Sequence, residues 1–140
     1  MQVIHPSPLL KRALLADAAV SGATAALQLL GAEALAAALQ LPQALLWETG
    51  LFLVAYAALL VVLARSAGVW AALIGLVVAG NLGWAVACGA LLATGTPGPN
   101  ALGTGFVLVQ VAAVLVFAGW EFKGLKASRS RPVSPNSATA

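Results

Sequence analysis

Between Asp17 and Glu121 the chain carries only three charged side chains, Glu33, Glu48 and Arg65. Charged residues make up 8% of the sequence and apolar residues 61%. A typical soluble domain is about 25% charged and roughly 45–50% apolar. A chain of 140 residues has room for one small domain, and small folds bury only about two-thirds of the surface they expose unfolded. So much apolar surface must therefore face lipid.

Cysteine and histidine are nearly absent as well. Cys88 and His5 are the single examples of each. One cysteine excludes an internal disulfide, a CxxC redox pair and a thiolate metal site. One histidine near the N-terminus leaves no Ser-His or Cys-His pair and no H-E-x-x-H motif, and a buried haem would lack its axial ligand. No glycine-rich loop joins a strand to a helix, so nucleotide binding has no footing. These absences predict a protein that is not an enzyme and holds neither metal nor cofactor.

What remains is a set of long apolar runs. A hydrocarbon core of about 30 Å needs roughly 20 helical residues. Four runs meet that length, at about 13–30, 44–64, 68–92 and 101–120. They are continuous and rich in Ala and Leu, which favours helices over the period-two segments of a β-barrel. The predicted fold is all-α, a transmembrane four-helix bundle. Residues 1–12 read as a mobile, Pro-punctuated cytoplasmic arm, and 123–140 as a basic, Ser- and Pro-rich disordered tail. Residues 31–41, with Glu33, either prolong span one or lie at the interface, and Pro42 suits the first turn of a new helix. Thr94 to Asn100 reads as a turn.

The basic residues alternate along the loops. Lys11 and Arg12 precede span one, and Arg65 lies between spans two and three. Lys123, Lys126, Arg129 and Arg131 follow span four, and the other two loops have no basic residue. This pattern predicts both termini in the cytoplasm. The net charge of +3 is thus a topology and headgroup signal. With no basic stripe along a folded face, nucleic acid is not an expected partner. Trp47 and Trp120 at span ends, and Trp70 near one, suit an aromatic belt.

Polar residues inside the spans are the candidate sites. Asp17, Ser21, Thr24 and Gln28 recur at i, i+4, i+7 and i+11, a stripe roughly 60° wide on one helix. Such a stripe faces protein or water. It reads either as an ion-linked carboxylate in a permeation path or as a hydrogen-bonded helix seam in which Asp17 reaches headgroups or a cytoplasmic basic residue. Tyr56, Asn81 and Gln110 are the matching polar groups on the other spans, expected in the bundle interior. Small residues at Ala71, Gly75, Ala79, Gly83 and Ala87 form a ridge along span three that would admit a close helix crossing, within the chain or with a second copy.

Length, span count and an acidic residue in the first helix are shared with small multidrug-resistance transporters. Those proteins carry a Glu in an aromatic setting, whereas Asp17 sits among Ala and Ser, so their function is not carried over. Leu15-Ala16-Asp17, the Leu41-Pro42 step, and Asn81 with Trp84 resemble features of small bacterial four-helix integral membrane proteins over about residues 10–122. That resemblance implies an inner-membrane address and no particular activity. The expected role is an accessory or structural membrane component, and the alternative is a small oligomeric ion-coupled transporter or channel-like protein using Asp17. The expected partners are the lipid bilayer and either a homo-oligomer or a larger membrane complex.

Overall fold

The computed structural model describes residues 2–130. Strand β1 (Val3–Ile4) leads into helix α1 (Pro8–Leu30), which is followed by a short helix α2 (Ala32–Leu39) and by α3 (Gln43–Arg65). Strand β2 (Val69–Trp70) then precedes α4 (Ala71–Thr94) and α5 (Ala101–Arg129). The fold is all-α apart from the two-residue strands, and α1, α3, α4 and α5 are long and apolar enough to cross a membrane.

Local chemistry sets the boundaries. The Ser7 hydroxyl accepts from the Leu10 amide at 3.2 Å, and Pro8 fills the first turn, where no N–H is required. Gly31 ends α1 by returning its N–H to the Leu27 carbonyl at 3.0 Å. Gln40 closes α2 in the left-handed region at φ 54°, and Pro42 then caps α3. Asn100 caps α5 by accepting from the Gly103 amide at 2.9 Å while its own amide donates to the Ala38 carbonyl at 2.8 Å, tying α5 to α2.

The four long helices run alternately up and down. One end of the bundle gathers the start of α1 and α4 and the finish of α3 and α5, clamped by antiparallel pairing of β1 with β2 (Val3 opposite Trp70, Ile4 opposite Val69). We call this the clamped end and the opposite one the α2 end. Helix α1 packs along α3 and α5, and α4 packs along α5. At the clamped end Leu10, Leu14, Leu60, Leu63, Ile74 and Leu125 form the main core. There α5 crosses α1 at Gly124, where a Cβ would lie 2.7 Å from the Leu10 Cα.

Polarity is inverted relative to a water-soluble bundle. Leu30 is 90% exposed and Val86 72%, whereas Ser7, Asp17, Ser21, Gln28, Asn81, Glu121 and Ser128 are all buried. A protein in water hides the first kind of residue and solvates the second. With lipid as the surrounding solvent the cost reverses, since polar side chains must find partners inside.

The two termini differ from expectation. Residues 2–12 of the expected 1–12 arm are not loose. Residues 3–4 pair with β2, the His5 ring is hydrogen-bonded to the Ala67 carbonyl at 2.8 Å, and α1 begins at Pro8 instead of Ala13. Pro6 and Pro8 look like breakers, yet Pro8 is a helix starter once Ser7 caps it. Likewise Lys123, Lys126 and Arg129 belong to α5, which continues nine residues past Trp120. Gly124, Leu125 and Ser128 on that extension are buried against the start of α1, and the Ser128 hydroxyl accepts from the Ser7 amide at 2.9 Å. The basic composition concealed this inward face. The expected tail beyond, including Arg131, lies outside the described residues.

Candidate functional site

Each long helix sends at least one polar side chain to a common point. Asp17 stands nine residues into α1, Tyr56 nine before the end of α3, Asn81 ten into α4 and Glu121 eight before the end of α5. At 1.5 Å per residue these positions form a layer about 12–15 Å from the clamped end. The antiparallel course of the chain brings positions 17, 56, 81 and 121 to one level.

The contacts centre on two carboxyl groups. One Asp17 oxygen, Oδ1, accepts from the Ser21 hydroxyl at 2.9 Å. The other, Oδ2, accepts from the Tyr56 hydroxyl and from the Asn81 amide, both at 3.0 Å. The same Asn81 nitrogen donates to Glu121 Oε2 at 3.0 Å, so one amide bridges the two carboxyls. Glu121 is 0% exposed and Asp17 1%, and Glu121 Oε1 is buried with no hydrogen-bond partner. Every described partner of these carboxyls is a neutral side chain. Asp17 therefore does not pair with a cytoplasmic base, as one reading of the sequence expected; Arg12 and Lys126 are exposed, and the Lys126 ammonium lies 5.7 Å over the Phe122 ring.

Aromatic rings wall the layer on the side of the α2 end. Phe52 stacks on Tyr56 at 6.2 Å and on Trp84 at 5.7 Å, joining α3 to α4. A cavity of about 80 Å³ opens beside the Asp17 carboxyl, lined among others by Asp17, Ser21, Thr24, Tyr56, Asn81 and Gln110. Trp84 and Gln110 also border a second cavity of about 150 Å³ toward the α2 end. The Trp84 indole donates to Gln110 Oε1 at 3.3 Å on that shared wall.

The predicted stripe on α1 is thus divided between two places. Asp17 and Ser21 belong to the carboxyl layer. The Thr24 hydroxyl donates to its own helix at Val20 and only borders the smaller cavity. Gln28 lies further along, bonded to Thr49 at 3.0 Å beside the larger cavity. Tyr56 and Asn81 reach Asp17, whereas Gln110 pairs with Trp84. The ridge on α4 is not a seam within the chain. Ala71 is buried, but Ala79, Gly83 and Ala87 are exposed, and a Cβ at Gly75 or Gly83 would have nothing within 4 Å.

Glu121 is the residue sequence reasoning passed over, because span four was ended at Trp120. A signal existed. Gln110, Phe117, Glu121 and Ser128 are spaced by seven, four and seven residues, which keeps them on one helix face.

No protein family, curated protein or solved structure matches the chain. The fold and the site define it as an all-α bundle of four membrane-length helices around a buried carboxyl pair.

Proposed function

We propose that this chain is a small ion-coupled transporter or channel-like protein of a bacterial inner membrane, with Asp17 and Glu121 as the paired groups that take up a proton or a small cation. The observation that carries the reading is the Glu121 carboxyl, wholly buried with one oxygen unpartnered and joined to Asp17 through the neutral Asn81 amide. Two carboxyls in apolar surroundings without a basic partner are costly as a doubly charged pair, and an added positive charge relieves that cost. Ionisable groups deep in a spanning bundle mark ion pathways more often than they serve as packing. Asn81 suits such a site, since its amide holds both carboxyls in register while one is neutralised.

Orientation follows from the grouping of charge. Lys11, Arg12, Arg65, Lys123, Lys126 and Arg129 all lie toward the clamped end, and Glu33 and Glu48 toward the other. Under the positive-inside rule the clamped end faces the cytoplasm, so both termini are inside. The protein is a binding and permeation protein, not an enzyme, and works as a homo-oligomer in the bilayer.

A second reading, an accessory or structural component of a larger membrane complex, is favoured by the ridge on α4, which turns small residues outward. Reconstitution into liposomes with a trapped pH dye separates the two. Dissipation of an imposed pH gradient by the wild type, lost in Asp17→Asn and Glu121→Gln proteins that still assemble, supports the transporter. Absence of flux, together with stoichiometric recovery of a larger protein from the native membrane in mild detergent, supports the accessory role.

A further inference from the structure

The larger cavity, toward the α2 end, has a chemistry unlike that of the carboxyl layer. It holds about 150 Å³, and no charged side chain lines it. The cavity is about half open to the surroundings and has room for a single benzene-sized ring. Leu41, Leu46 and Phe106 supply apolar walls, and Gln28, Thr49 and Gln110 supply polar ones. A charged molecule would lose its hydration there without compensation.

The polar groups lining it keep unspent hydrogen-bonding capacity. An indole N–H only donates, so its bond to Gln110 Oε1 fixes which end of that amide is the oxygen and leaves the N–H groups available. Gln28 is 2% exposed, and the Thr49 hydroxyl, also 2.7 Å from the Leu45 carbonyl, meets at most one of its four hydrogen-bonding positions. Gln110 is half-buried, and among the described residues neither amide nitrogen makes a hydrogen bond, so both have donors to offer a guest.

We infer that this cavity is a binding site for a small neutral ring compound carrying a carbonyl or similar acceptor oxygen, held by the amide N–H groups of Gln110 and Gln28. The inference stands independently of the ion-coupled reading, since it uses neither carboxyl.

The test is fluorine NMR of para-fluoroacetophenone with the full-length protein in lipid nanodiscs. The expected result is saturable line broadening that acetophenone reverses. Ethylbenzene, of similar bulk without the acceptor, should compete about tenfold more weakly, and benzylammonium and benzoate not at all. Gln110→Leu should weaken binding about fivefold, the effect of one lost hydrogen bond. Cys88→Phe, which fills the space, should abolish it. If that variant does not fold, Gln110→Leu and the competitor series on the wild type decide alone. No saturable broadening overturns the inference. So does equal competition by ethylbenzene, which would make the cavity a socket for a lipid chain. Displacement by benzylammonium also overturns it, by placing the ligand at the carboxyls.

Discussion

The clamped half of the bundle and the half toward α2 solve the same problem differently. At the clamped end the helices approach to backbone contact at Gly124 and Leu10, β1 pairs with β2, and Ser7 and Ser128 bond across the chain. Asp17, Asn81 and Glu121 share hydrogen bonds at the inner limit of that half. Toward α2 the helices stand apart around a cavity of about 150 Å³, and polar side chains meet in pairs, Gln28 with Thr49 and Trp84 with Gln110. The tight half can hold two carboxyls where lipid surrounds the protein, because rigid neighbours keep their partners in place. The looser half has space for a guest and no charge to hold. A tightly bonded site and a more open one thus adjoin across the Trp84–Gln110 wall.

Substitutions can break this contrast or sharpen it. The largest effect is expected at the carboxyls, where Asp17→Asn or Glu121→Gln should lower proton flux in liposomes at least tenfold, measured against protein of matched recovery. Next comes Asn81→Leu, which removes the bridging amide and leaves both carboxyls without their shared donor. A hydrogen bond to a charged group contributes about 1.5–3 kcal/mol, and with two such bonds lost, unfolding in mixed detergent micelles should show a loss at or above the upper figure. Gly124→Leu forces a side chain onto the α1 backbone, and overpacking of this kind costs about 3 kcal/mol. If it proved neutral, the account of the clamped end as tightly packed would be wrong. In the other half Gln28→Leu should cost less than about 1 kcal/mol, because only one hydrogen bond is lost beside space that a leucine can fill. Smallest of all is Gly83→Leu, whose site is open. Its effect on monomer stability should stay within about 0.5 kcal/mol, with any change confined to oligomer size measured by light scattering.

Particular residues mark how far the sequence could be read. The four spans were legible because a 20-residue apolar run is a strong signal with one physical cause. Asp17 and Ser21 were legible as inward-facing, since helical periodicity fixes which side chains share a face. Asn81 and Tyr56 were legible as interior polar groups, but nothing in their spacing named Asp17 as their partner. Glu121 was lost because Lys123 and Lys126 made its neighbourhood look like tail, although its spacing from Gln110 and Ser128 was helical. The small-residue ridge on α4 was read from periodicity, which says that a face is smooth and not what meets it.

Composition and periodicity alone determined the membrane-length helices, their number and the inward face of α1. These are local properties, set by the transfer of side chains to lipid and by the 3.6-residue turn. The meeting of Asp17 with Glu121, the docking of residues 3–4 against 69–70 and the separation of two interior cavities were decided by tertiary structure alone. Those features depend on how far each helix slides and rotates against its neighbours. Close packing between residues up to 121 positions apart sets those offsets, and no window of the sequence contains them.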